Sequence, residues 1–235
     1  MSEKIIGILG GMGPEATANF FLKIIKATPV EKDQDHLRII IDSNPKIPDR
    51  TSAILGHGPS PVETMVRTGK NLASLGVNIG AIPCITAHYF FDEVQKELPF
   101  PLVNALEELN KRIKTSYPHV EKIGVLATTG TVKSKLYDKH LSSYTIIYPD
   151  DSSQEKIMKA IYGINGIKNG NTGIYPKCLL VQAGFELIER GSQALIAGCT
   201  EIPLVLKPED FPVPLLDPME VLAESIVNMA KQSQH

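Results

Sequence analysis

Apolar residues in this chain gather in short runs, and each run leads through a turn into a stretch with helical spacing. Runs at Lys4–Leu9, Leu37–Ile41, the segment ending at Cys84, and Leu102–Val103 read as strands in the first half. Lys122–Ala127, Tyr144–Tyr148 and Ala194–Ala197 read the same way in the second. Between them, helical patterns run from Pro14 to about Ala27, and over Val62–Leu75, Phe90–Leu98 and Leu106–Thr115. Later ones start near Val132 and cover Glu155–Ile164, Cys178–Arg190 and Val221–Met229. Pro14 suits a first helical turn, and Gly76 suits a helix stop. Strands alternating with helices predict an α/β fold, a parallel sheet flanked by helices, in each half.

The two halves correspond in detail. Gly7 in IIGILG and Gly124 in KIGVLA lie 117 residues apart. Gly69, Gly76 and Cys84 each find a counterpart 115 residues on, at Gly184, Gly191 and Cys199, and Pro101 finds Pro214 at 113. A drift this small is what short loop insertions and deletions leave in a duplicated unit. The pattern predicts a first domain over 1–115, a second over 116–217, and a last helix within 218–235 packed back on the first. The boundary is expected near Ser116–His119.

Composition narrows the function classes. The chain has 235 residues, 43% of them hydrophobic and 21% charged, enough for two core-bearing units. A formal charge of −2 gives no electrostatic reason to expect nucleic acid or an anionic membrane as partner. The opening MSEKIIGILGG is too short and too glycine-broken for a signal h-region or a membrane span, so a soluble cytoplasmic protein is expected. Three cysteines without a CxxC pair fit a reducing compartment and argue against a disulfide framework or a structural zinc site.

The chemistry centres on two Cys-Thr words at equivalent places, PCITAH around Cys84 and AGCTEIP around Cys199. Ligands of open parallel sheets bind beyond the carboxyl ends of the strands, where both cysteines fall. A helix starting after each would lower the thiol pKa. Two thiols flanking a carbon acid can remove a proton from one face and return one to the other, as a cofactor-free racemase requires. Cys178, among Leu179, Leu180 and Val181 and without a counterpart, reads as a small buried hydrophobe. The turns Gly10–Pro14 and Thr128–Thr131 offer backbone N–H groups and hydroxyls to an anion. GMGPEA also fits the dinucleotide pattern GxGxxA, but that reading leaves both cysteines unused and Pro14 removes an N–H from the turn. Arg50, after Pro45 and Pro48, reads as a loop residue able to grip a carboxylate bidentately, or else a surface partner of Asp49. Lys168, between Gly166 and Gly170, reads as part of a lid or as an exposed loop lysine. His88 either tunes Cys84 or satisfies a helix start; Glu201 either keeps Cys199 protonated or favours a helix N-terminus.

GILGGMGPEAT, DSNPKIPDRT, PCITAH and AGCTEIPL together resemble the aspartate/glutamate racemase family, in its aspartate racemase branch, over essentially the whole chain. The resemblance implies two Rossmann-like domains related by pseudo-twofold symmetry, with the active site in the cleft between them. It implies no pyridoxal phosphate, no metal and no other cofactor, an acidic amino acid as small-molecule substrate, and a homodimer. By the same resemblance Cys84 and Cys199 are the catalytic acid/bases, and Arg50 and Lys168 bind a substrate carboxylate. Met12, Thr51, Thr86, Thr128 and Thr200 line the pocket. The family motif reads PCNTAH where this chain has Ile85, so a polar contact to the α-carboxylate worth roughly 1–3 kcal/mol is replaced by an apolar side chain. Aspartate racemisation is the expected activity. A glutamate or broad-specificity racemase, a cysteine-dependent diacid isomerase or decarboxylase, and a non-catalytic amino-acid-binding protein are the alternatives.

Overall fold

The computed structural model describes residues 4–231. The elements follow in the order β1 (Ile6–Gly10), α1 (Pro14–Lys26), β2 (Ile39–Ser43), α2 (Arg50–Ile54), α3 (Val62–Ser74), β3 (Ile79–Ala81), α4 (Phe91–Lys96) and α5 (Ala105–Ser116). They continue with β4 (Lys122–Leu126), α6 (Thr129–Lys133), α7 (Leu136–His140), β5 (Thr145–Ile147), α8 (Asp151–Tyr162), α9 (Ile174–Glu189), β6 (Ala194–Ala197), β7 (Leu215–Leu216) and α10 (Pro218–Lys231). Two compact units result. One runs to Glu108 and resumes at Met219; the other spans Leu109–Pro218, so the division falls inside α5. Among the described residues no helix is long and apolar enough to cross a membrane.

The first unit carries a parallel sheet in the order β2-β1-β3, extended by a parallel bridge from Gly80 to Leu102. The second carries β5-β4-β6-β7, also parallel. The sequence-predicted α/β class is what the chain adopts, with the same strand order in both units. β1 and β6 are buried at every position, as strands covered on both faces must be, which is why their sequences are continuously apolar rather than alternating.

The correspondence extends to single hydrogen bonds. Gly80 N–H donates to Pro101 O at 2.9 Å, and its counterpart Leu195 N–H donates to Pro214 O at 2.8 Å. Ile5 N–H donates to Asn78 Oδ1, while Glu121 and Lys122 N–H donate to Gln193 Oε1, so an amide side chain secures the start of the first strand in each sheet. Gly76 and Gly191 hold φ of 84° and 95°, values only glycine adopts readily, and each turns its helix into the next strand.

Most boundaries fall within a few residues of the sequence reading, and three differ informatively. Arg50 is not in a loop: it opens α2, where Asp49 caps the helix by accepting from Ser52 N–H at 2.7 Å. The segment after each cysteine is a 3₁₀ turn, Thr86–Phe90 or Ile202–Leu204, rather than the start of an α-helix. Cys178 lies on the exposed side of α9, because Leu180 takes the core position two residues on.

Candidate active site

In the first unit the residues singled out by sequence meet at the carboxyl ends of the strands. β1 exits into Gly11, whose φ of 93° and position against the Asn44 backbone leave no room for a Cβ; an added one would lie 2.3 Å from Asn44 C. This close approach brings the turn bearing Met12 against the exit of β2. Arg50 then reaches back: its Nη1 donates to Ile47 O and Pro48 O at 3.2 and 2.8 Å, and its Nη2 to Met12 O at 3.5 Å. The guanidinium belongs to a residue only 9% exposed, and the neighbouring Thr51 is buried as well. α2 packs on the 3₁₀ turn after Cys84, so Arg50 and Thr51 sit beside the segment that carries Thr86. Cys84 is 6% exposed and shares one apolar cluster with Met12 and Ile47. Ile85 is buried too.

His88 resolves into a structural role for its ring. Nε2 accepts from Ala105 N–H at 3.2 Å, which places the ring hydrogen on Nδ1, 2.9 Å from Cys84 O. The imidazole therefore satisfies the first N–H of α5 and anchors the Cys84 backbone, while stacking on Phe91.

The second unit assembles a more polar arrangement. Cys199, 5% exposed, donates its thiol hydrogen to Glu201 Oε2 at 2.9 Å. Thr200 Oγ1 donates to the same oxygen at 3.1 Å, and Lys168 Nζ forms an ion pair with Oε1. Lys168 comes from the 3₁₀ turn Ile167–Asn169, held down by the fully buried Ile167, and its ammonium lies 5.5 Å from the centre of the Tyr162 ring. Thr128, buried, caps α6 and bonds to Thr131.

Electrostatics around Cys199 run opposite to the helix-dipole expectation. Burial pushes the thiol pKa well up, the Glu201 carboxylate pushes it further, and Lys168 opposes both. Glu201 stays below the usual carboxylate value: burial works against its charge, but Lys168 and the hydrogen bonds from Cys199 and Thr200 outweigh it. Without an α-helix N-terminus at the sulfur, what offsets desolvation of a thiolate is the lysine and, to a smaller extent, a backbone hydrogen bond from Glu201.

The two glycine- and threonine-rich turns are also less open than the sequence suggests. Gly11 N–H donates to Thr17 Oγ1 at 2.9 Å, and Thr129 N–H to Met158 Sδ at 3.2 Å. One nearby residue escaped the sequence reading. Tyr137 is fully buried, its hydroxyl has no hydrogen-bond partner among the described residues, and it lies where a Cβ on Gly198 would touch it at 2.9 Å. The repeat held the signal, since 117 residues earlier stands Phe20, equally buried and without a hydroxyl.

Known proteins resemble this chain over most of its length. A family model described as Asp/Glu/hydantoin racemase matches residues 9–226. The broad-specificity amino-acid racemase RacX of Bacillus subtilis (strain 168) is 30% identical over 233 residues, covering 95% of this chain and 97% of RacX. The structure of Picrophilus torridus aspartate racemase superposes with a TM-score of 0.83 at 30% identity, covering 97% of this chain and 94% of that one. Glutamate racemase from Francisella tularensis subsp. tularensis SCHU S4, solved with D-glutamate, superposes with a TM-score of 0.71 at 18% identity, covering 100% of this chain and 83% of that one, a likeness of fold. The chain belongs to the Asp/Glu/hydantoin racemase family, and is a racemase of that superfamily.

Proposed function

We propose that this racemase interconverts L- and D-aspartate without pyridoxal phosphate or metal, using Cys84 and Cys199 as its two acid/bases. The observation that carries the reading is their equivalence. Each follows the third strand of its sheet at a repeat-related position, is buried, and precedes a 3₁₀ turn. One thiolate takes the α-proton as the other thiol delivers a proton to the opposite face of the carbon; in the reverse reaction the roles exchange. Charge then develops on the α-carboxylate, and donors fixed in advance must stabilise it. Thr51, Thr86, Thr128 and Thr200 are the hydroxyls assigned to that task.

Arg50 is the residue assigned to the side-chain carboxylate. Three backbone carbonyls hold its guanidinium in place, so little side-chain freedom is lost on binding. Lys168, whose ammonium rests on Glu201, is the second cation assigned there. The 30% identity to an aspartate racemase over nearly the full chain supports an acidic substrate. Ile85 favours a second reading, a racemase of broader specificity, because an apolar residue replaces a directional contact to the α-carboxylate; RacX supports it. A cytoplasmic homodimer is the proposed form.

The test is incubation of purified protein with single L-amino acids and no added cofactor, followed by chiral chromatography. Aspartate should be racemised fastest; comparable rates with neutral amino acids would establish the broad-specificity reading instead. Cys84→Ala and Cys199→Ala should each abolish racemisation, and full activity in either would refute the two-thiol mechanism.

A further inference from the structure

We infer that Glu201 is a positioning residue that holds Cys199 in the thiol form, with Lys168 as its opposing charge, so that Cys199 starts as the proton donor of the pair. The inference rests on reading Cys199 as one of the two racemase bases. It extends that reading by assigning the starting protonation of Cys199.

The geometry is direct. The Cys199 thiol donates to Glu201 Oε2, and Lys168 occupies the other oxygen, Oε1. Glu201 is 4% exposed, so water cannot screen the carboxylate from the sulfur two residues away. Deprotonating Cys199 would place two negative charges in hydrogen-bond contact inside the core, with one ammonium to offset them. Protonating Glu201 instead would sacrifice its ion pair. The thiol–carboxylate state is the one that satisfies every group: Cys199 donates, Thr200 donates, and Lys168 neutralises. Among the described residues the charged groups acting on the sulfur are Glu201 and Lys168, and a thiolate there would in turn disfavour ionisation of the buried Tyr137.

The internal repeat supplies a control within the molecule. At the repeat offset of 115 residues, the position of Glu201 is taken in the first unit by Thr86, and that of Thr200 by Ile85. The duplicated scaffold thus places both thiols alike but gives a carboxylate to one of them. A racemase interconverting mirror-image substrates needs two bases; it does not need them to be equivalent. Unequal neighbours fix which form of the free enzyme predominates, and therefore which enantiomer it meets in the competent state.

The test reads each sulfur separately in the full-length protein. Iodoacetamide alkylation is followed cysteine by cysteine by peptide mass spectrometry, from neutral to alkaline pH. Glu201→Gln should speed Cys199 alkylation at neutral pH about tenfold, the effect of one pKa unit on the thiolate fraction. Lys168→Met should slow it, and Glu201→Asp should restore a rate near the parent's. Cys84 and the exposed Cys178 serve as references in the same digest. Opposite signs for the Gln and Met variants support the assignment, because loosened packing would accelerate both. Acceleration in both, or no change in Glu201→Gln, overturns it. In activity assays the alkaline pH at which kcat/KM falls should move down in Glu201→Gln and up in Lys168→Met, by the same amount for both enantiomers, since the equilibrium constant is unity. Absence of racemisation in the parent with opposite-sign alkylation intact would remove the proposed reaction and leave the Glu201–Cys199 coupling standing. Racemisation with same-sign alkylation would do the reverse.

Discussion

Adding one methyl group at Gly184 should destabilise the second unit, whereas the matching change at Gly69 should be close to neutral. Both glycines lie inside helices, so an alanine gains about 1 kcal/mol of helix propensity at either site. What differs is the obstacle. A Cβ at Gly69 would meet the two terminal carbons of Leu98 at 2.5 and 2.7 Å, and a leucine end can rotate aside. A Cβ at Gly184 would meet Phe211 Cε1 and Cζ at 2.4 and 2.5 Å and Leu195 Cδ1 at 3.3 Å. The Phe211 ring is rigid and is packed against Phe185, with centroids 5.7 Å apart. Overpacking costs about 1–3 kcal/mol, and against a rigid ring the upper part of that range, about 2–3 kcal/mol, applies, which leaves Gly184→Ala destabilised by about 1–2 kcal/mol after the propensity gain. At about 2–4 °C per kcal/mol for a chain of this size, the melting midpoint should fall by several degrees. Because Leu195 belongs to β6, which leads to Cys199, racemase activity should fall as well. Differential scanning calorimetry of the two variants beside the parent decides it. A Gly184→Ala protein that melts at or above the parent, or below which Gly69→Ala lies, would refute the reasoning.

Three further outcomes are expected. Arg50→Lys keeps the charge but loses the planar fork, and should raise KM for aspartate about tenfold or more with a smaller change in kcat, measured by polarimetry. The pKa of Glu201 is lowered from 4.5, so its ionised form stabilises the fold at neutral pH, and that contribution is lost as the pH falls through its folded value. Glu201→Gln should therefore make the acid limb of melting temperature against pH shallower, though not flat, because Asp150 and Asp210 are lowered too. His88→Phe retains an aromatic ring against Phe91 but orphans Ala105 N–H and Cys84 O, and should cost about 2–5 kcal/mol in urea denaturation while lowering activity.

Much of the fold was legible because it is written twice. Strands buried on both faces leave continuous apolar runs, and the glycines at 69 and 184 recur because Leu98 and Phe211, 113 residues apart, press on them. The places of Cys84 and Cys199 beyond the third strands followed from the same repeat. Arg50 reads as loop from sequence because α2 is five residues long, too short for a helical period, and two prolines obscure its start. Its real signal was Asp49 three residues before Ser52, a side-chain cap. Cys178 reads as buried from its apolar neighbours but is exposed, because neighbours in sequence diverge by about 100° per residue on a helix. The role of Glu201 was ambiguous because it depends on Lys168, 33 residues away, arriving at the other carboxylate oxygen. No local pattern encodes that meeting.

The two-thiol account is tested most directly by racemising L-aspartate in deuterium oxide and following both enantiomers from the first turnovers. Opposed cysteines predict that the D-aspartate formed carries deuterium at Cα while the remaining L-aspartate keeps its protium. Deuterium entering recovered L-aspartate as fast as D-aspartate appears would mean that a single base serves both faces, and would contradict the assignment of Cys84 and Cys199.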